Sequence, residues 1–227
     1  MHMKKQVLAA AIVFLLLGAA AYGALFVAPT ERTMGPIQRI FYLHVSSAWT
    51  GLCAFFICFI ANVLYVFRRQ PQWDWLSISA AEVGLVFTTV VLVSGPIWAH
   101  PVWGIWWTWD ARLTSTFILW LLYACFLLLR TLVEEPDRRA LFSALFGIFA
   151  FLDVPLVFGS IRWWRAQHPQ PVVMGGSGSG LDPTMWKVLF FSWFAMLALM
   201  TLLMRARYLM EAARGELEIV RHEAEAI

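Results

Sequence analysis

An all-α integral membrane protein with six transmembrane helices is the fold class this sequence predicts, and three observations carry the prediction. Of its 227 residues 61% are hydrophobic and only 14% are charged. The apolar residues stand in long blocks, not at the spacing of a soluble amphipathic fold. Four tryptophans fall within the seven residues Trp103 to Trp109, between long apolar blocks, the place at which an indole keeps its ring in the apolar boundary and its N–H in water.

Six spans are read at roughly 6–28, 40–67, 76–98, 114–132, 139–160 and 184–205, each long enough to cross about 30 Å of hydrocarbon as a helix. Together they make one membrane domain, 1–227. The first span follows Met1-His2-Met3-Lys4-Lys5 and ends near Ala19-Ala20-Ala21; an apolar stretch of about twenty residues is long for a signal peptide, so a retained span is expected. The second opens on Ile40-Phe41-Tyr42-Leu43-His44. The third and fifth contain Glu82 and Asp153, expensive in hydrocarbon and expected to be protonated or hydrogen-bonded structural acids. Beyond the sixth, the charged tail from Glu211 to Ile227 is expected as a solvated helix or a partner contact.

Cytoplasmic N- and C-termini follow from charge. With that orientation the inner segments hold eleven of the lysines and arginines, among them Lys4, Lys5, Arg68, Arg69, Arg138 and Arg139, against six outside: Arg32, Arg39, Arg112, Arg162, Arg165 and Lys187. The outer loops are then roughly 29–39, 99–113 and 161–183. The net charge of +3 belongs largely to the inner segments and calls for no nucleic-acid partner. Cys53, Cys58 and Cys125 all fall within spans, without a Cys-x-x-Cys or Cys-x-x-Cys-His pattern. Thiol exchange and covalent haem attachment to this chain are therefore not indicated.

The second outer loop reads Trp103-Gly104-Ile105-Trp106-Trp107-Thr108-Trp109-Asp110. Pro101 is expected to open a helix there, because its missing N–H would lack a partner in the first turn anyway. On that helix Trp103, Trp106, Trp107 and Asp110 would share roughly a 100° arc, with Trp109 pointing elsewhere. The product is an aromatic shelf ending in a carboxylate, suited to a large planar ligand such as a porphyrin. An interfacial aromatic belt packed on neighbouring helices is the plainer alternative.

Two histidines face the same side of the membrane. His44 lies at the outer end of the second span, with Ala48 and Gly51 leaving room beside its ring. His168 follows Trp163-Trp164-Arg165 and precedes Pro169 in the third outer loop. Neutral imidazole is a common haem-iron ligand, and two such groups on opposite faces would hold a six-coordinate haem. A bundle hydrogen bond for His44 and plain solvation for His168 are the alternatives. His100 is a reserve candidate beside the motif, and Arg162 and Arg165 are candidate propionate partners. The run Gly175-Gly176-Ser177-Gly178-Ser179-Gly180 reads as a linker.

Taken together, Trp103-Gly104-x-Trp106-Trp107-x-Trp109-Asp110-Ala111-Arg112, Tyr42-Leu43-His44-Val45 and Trp163-Trp164-x-x-x-His168 resemble the haem-handling WWD membrane family of cytochrome c biogenesis, and its CcmC branch most of all. The resemblance covers essentially the whole chain. It implies a protein of the bacterial inner membrane that binds haem b, non-covalently and transiently, at the periplasmic face. It further implies presentation of that haem to the chaperone CcmE, with the CcmA–CcmB transporter, CcmD and membrane lipid as neighbours. By the same resemblance His44 and His168 are the axial iron ligands. Trp103, Gly104, Trp106, Trp107, Trp109 and Asp110 form the haem platform, and Arg112 is a propionate partner. The chain departs from the family pattern in Gln167-His168-Pro169, where Leu before and Gln after the histidine are usual, and at His100, where lysine is usual.

Three other classes remain distinguishable. A complete cytochrome c synthetase of the same superfamily would act on apocytochrome directly and has more helices. A scaffold subunit of a transporter would carry no haem. A b-type electron-transfer subunit would place paired histidines within the membrane, a pattern this chain lacks.

Overall fold

The computed structural model describes residues 2–164 and 181–225. Among them the chain folds as α1 (His2–Tyr22), α2 (Ile40–Arg68), α3 (Pro71–Trp103), α4 (Ala111–Leu132), α5 (Pro136–Phe151), α6 (Asp153–Trp163) and α7 (Pro183–Glu225). Six segments are long and apolar enough to cross a membrane, and the fifth of them, Pro136–Trp163, is α5 and α6 in series. The protein is thus a multi-pass, all-α membrane protein. Helices continue beyond the apolar blocks because polar residues cap them: the Glu135 carboxylate accepts from the Asp137 and Arg138 amides at 3.0 and 2.9 Å, ahead of Pro136. The 43 residues of α7 extend about 65 Å at 1.5 Å per residue, roughly twice the hydrocarbon thickness.

The α2–α3 hairpin is the spine of the bundle. Arg69 closes α2 in the left-handed conformation (φ 53), its amide bonded to the Tyr65 carbonyl at 2.8 Å. Extended Gln70 and Pro71 then start α3. So short a connection forces the two helices to lie antiparallel, and small residues let them come close. A Cβ on Gly84 would stand 2.5 Å from the Phe55 ring, and one on Gly51 would stand 3.2 Å from Thr88 Oγ1. Phe55 in turn stacks on Tyr123 of α4 with centroids 3.7 Å apart. Around this stack Ala54, Cys58, Ala80, Ala81, Leu119 and Phe126 form the core, joined by Val154 and Val157 of α6 and by Met200 and Met204 of α7. Packed against α7, α1 leaves Leu8, Ile12, Phe14 and Leu15 exposed, as a lipid-facing helix would.

The fifth span is broken for a local reason. Pro155 cannot donate to the Phe151 carbonyl, so the ladder stops at Leu152 and restarts at Asp153. Asp153 is buried at this break, and its Oδ2 has no hydrogen-bond partner among the described residues.

The end of the bundle remote from the tryptophan cluster is laced by ion pairs. Arg130 of α4 donates to both carboxylate oxygens of Asp74 on α3, at 2.5 and 2.8 Å, and both side chains are mostly buried. Glu82 is not a lone acid in the membrane: it is ion-paired with Arg207 of α7, whose Nη2 donates to Oε1 at 2.7 Å. Glu211 accepts from Arg207 and Arg214, at 3.2 and 2.8 Å.

The helix expected to open at Pro101 is not there. Instead α3 runs through Pro96 and Pro101 and ends at Trp103, where Gly104 (φ 71) returns its amide to the His100 carbonyl at 2.8 Å. A glycine in this conformation is a helix stop, and it overrides the tendency of proline to start one.

Candidate functional site

The site is built where α2, α3, α4 and α6 meet beneath the tryptophan segment. His44 lies one turn into α2, half-buried. Its Nδ1 is 2.9 Å from Ser94 Oγ on α3, and Ser94 Oγ donates to the Val90 carbonyl at 2.6 Å. The imidazole meets Trp98 edge to face, with centroids 5.8 Å apart and planes at 70°. Gly95 lies against the same ring: a Cβ there would be 3.4 Å from His44 Cε1, at the edge of ordinary van der Waals contact.

His44, Trp98, Trp103, Trp107 and Arg112 line one largely apolar cavity of about 110 Å³. Arg112 opens α4 beside it. Among the described residues its guanidinium makes one hydrogen bond, from Nη1 to the Val157 carbonyl at 3.3 Å, and no ion pair. The indole N–H groups of Trp98 and Trp107 are buried without hydrogen-bond partners among the described residues. Arg112 therefore stands at this cavity with bonding capacity left over, which favours an anionic or acceptor group.

Residues Ile105 to Asp110 between α3 and α4 are not helical, so the tryptophans do not share the arc that a helix would impose. Trp103 (40% exposed), Trp106 (57%) and Trp109 (73%) present their rings outward. Trp106 stacks on His100 at 4.2 Å, while Trp107 meets Trp109 and Phe117 edge to face at 5.6 and 6.3 Å. Trp103, Trp106, Trp107 and Asp110 also line a small hollow adjoining the main cavity. Trp109 stands apart from both.

Asp110 does more local work than a shelf carboxylate. Its Oδ1 accepts from the Arg112 and Leu113 amides at 2.9 and 3.0 Å, and its Oδ2 accepts from Thr108 Oγ1 at 3.0 Å. This is an N-cap of α4, and it fixes the direction in which Arg112 leaves the helix. Gly104 supplies the left-handed turn that separates Trp103 from the rest of the segment.

A shorter loop steers α2. Glu31 accepts from Thr33 Oγ1 and the Met34 amide, both at 2.6 Å, and from the Thr33 amide at 2.8 Å. The Thr33 hydroxyl first, then the Met34 amide, hold its carboxyl below the usual glutamate range. The turn leads through Gly35 (φ 64) into the 3-10 turn Pro36–Arg39 and so into the first turn of α2.

Of the residues singled out from sequence, His44, Trp103, Trp107 and Arg112 line one cavity; Trp106 and Asp110 flank it; His168 and Arg165 lie outside the described residues. Trp163 and Trp164 close α6 as an exposed edge-to-face pair, 5.9 Å between centroids. Sequence reasoning missed Ser94, Gly95 and Trp98. The signal available was a serine and a glycine ahead of Pro96 in an otherwise apolar block.

The family described as heme exporter protein C matches residues 1–223. Heme exporter protein C of Bradyrhizobium diazoefficiens is 35% identical over 175 residues, 77% of this chain and 66% of that relative. A ccmC-like mitochondrial protein of Marchantia polymorpha is 32% identical over 166 residues, 73% of this chain and 70% of that relative. Heme exporter protein C of Haemophilus influenzae is 30% identical over 213 residues, 94% of this chain and 87% of that relative. With essentially its whole length matched, the chain belongs to the CcmC, or heme exporter protein C, family.

Proposed function

We propose that this protein handles haem in c-type cytochrome biogenesis, holding it at the outer face of a bacterial inner membrane and presenting it for attachment to the chaperone CcmE. The carrying observation is the convergence of His44, Trp103, Trp107 and Arg112 on one cavity. Haem b is the cargo, bound non-covalently and transiently, with His44 and His168 as its axial ligands.

The donor set suits this ligand. Among the described residues no three His, Cys, Asp or Glu side chains gather as a metal site. A single imidazole fits an iron whose equatorial ligands come from a macrocycle. Arg112 has bonding capacity for a propionate. At about 110 Å³ the cavity is smaller than the roughly 300 Å³ that encloses a drug-sized ligand. A porphyrin seated here rests mainly on the exposed tryptophans, which suits a carrier that must let go.

When bound, haem supplies the vinyl group that becomes joined to the acceptor. The chain's own residues would orient and shield it: His44 would hold the iron, the Trp103–Asp110 segment would support the ring, and Arg112 would hold a propionate. Such placement turns an encounter with a chaperone into an oriented reaction, with no nucleophile required from this chain. CcmA–CcmB and CcmD are the neighbouring partners in this reading.

The test is the absorption spectrum and haem content of the detergent-purified protein and its His44→Ala, His168→Ala double variant, with and without co-expressed CcmE. Haem in the wild type, lost or spectrally altered in the variant and transferred to CcmE, is the expected result. No haem under any condition would make the protein a scaffold subunit, and haem attachment to apocytochrome without CcmE would make it a synthetase.

A further inference from the structure

A neutral imidazole has one nitrogen lone pair for iron, and the hydrogen bond at the other nitrogen decides which one carries it. At His44 that bond runs between Nδ1 and Ser94 Oγ, at 2.9 Å. Ser94 has a single hydroxyl proton. It points to the Val90 carbonyl at 2.6 Å, with the Val91 carbonyl behind at 3.4 Å. Carbonyls only accept, so the proton of the buried Ser94 is committed to them. Toward His44 the serine oxygen must then accept, and Nδ1–H must donate. The lone pair falls on Nε2.

The same turn of α3 sets the plane of the ring. Gly95 passes under His44 Cε1, the carbon between the two nitrogens, at a separation where a Cβ would touch at 3.4 Å. Trp98 closes the flank edge to face at 5.8 Å. Hydrogen bond, close backbone contact and aromatic edge thus come from Ser94, Gly95 and Trp98, within five consecutive residues.

We propose that Ser94 is the positioning residue of the haem site, selecting Nε2 of His44 as the iron-binding nitrogen. The inference rests on the reading of His44 as an axial ligand. A donated Nδ1–H also makes Nε2 a more basic ligand, and loss of such supporting contacts typically weakens metal affinity about 10- to 100-fold.

Two readouts test it on the full-length protein in detergent. Imidazole ¹⁵N spectra of the haem-free protein, with the His44 signals identified by their absence in His44→Ala, should show one tautomer with the proton on Nδ1. Ser94→Ala and the size-matched Ser94→Cys should move part of that population to the other tautomer. In titrations with haemin, both variants should bind about 10- to 100-fold more weakly, while Ser94→Thr, which keeps the hydroxyl, should recover most of the loss. A proton found on Nε2 in the wild type, or an unchanged tautomer and affinity in Ser94→Ala, would overturn the role of Ser94. An unchanged haem spectrum in His44→Ala would instead overturn the ligand reading beneath it.

Discussion

At one end of the bundle Arg130 grips Asp74 through two hydrogen bonds of 2.5 and 2.8 Å, and Glu82 and Glu211 share Arg207. At the other, Arg112 donates one hydrogen bond of 3.3 Å and makes no ion pair among the described residues, beside two buried indole N–H groups without partners. Both ends are built from the same kinds of side chain on neighbouring helices. The paired end fastens α3 to α4 and to α7. At the open end the Arg112 guanidinium keeps polar capacity in reserve for a ligand.

The contrast is sharpest if each end is broken separately. Asp74→Ala leaves the mostly buried Arg130 without its carboxylate, and breaking a buried pair from one side costs about 3–5 kcal/mol. Thermal unfolding in detergent should show this as a large loss of stability, with haem bound per folded molecule unchanged. A stable Asp74→Ala protein would show that the paired end is not what fastens α3 to α4.

Arg112→Gln should do the reverse. It removes a charge whose one hydrogen bond among the described residues is to the Val157 carbonyl, so unfolding should move little. Haem affinity, read by haemin titration, should fall about 10- to 100-fold, the worth of one charged hydrogen bond of about 1.5–3 kcal/mol. Equal losses of stability and affinity would make Arg112 a structural brace between α4 and α6.

Within the tryptophan segment the expected effects are smaller and graded by position. Trp107→Leu removes a ring that lines the cavity, and Trp109→Leu one that is 73% exposed and stands apart from it. Aromatic contacts contribute about 0.5–1.5 kcal/mol beyond area, so Trp107→Leu should weaken haem binding a few-fold to about tenfold and Trp109→Leu less. The opposite ranking would put the haem platform on the outer rings.

The smallest effect belongs to Glu31. Its carboxyl is held below the ordinary glutamate value of about 4.5, so its contribution to loop order is present above that value and is lost as pH falls through the lowered one. Amide exchange or proteolysis of residues 29–35 should therefore rise below about pH 4.5 in the wild type. Glu31→Gln should remove this pH dependence.

Much of the architecture was legible in local pattern, because a helix that must satisfy every backbone group inside hydrocarbon announces itself by length and apolarity. Six spans, the tryptophan cluster and the candidacy of His44 all came from that reading. Local pattern misled at two places. Pro101 looked like a helix start, but the left-handed turn at Gly104 makes it part of a helix end. Asp110 looked like the end of an aromatic shelf, although its spacing ahead of Arg112 and Leu113 is that of a capping residue, a signal present in the chain and outweighed there by the tryptophans.

Other features depend on residues far apart in the chain. Glu82 meets Arg207 across 125 residues, and His44 meets Ser94 across 50. Composition and spacing are enough for membrane insertion and the number of spans, since those follow from transfer of single segments out of water. Which acid is paired, which arginine is left open among the described residues and which serine meets His44 depend on what stands across the gap between two helices. That is set in part by the small residues Gly51 and Gly84, which let the α2–α3 hairpin close.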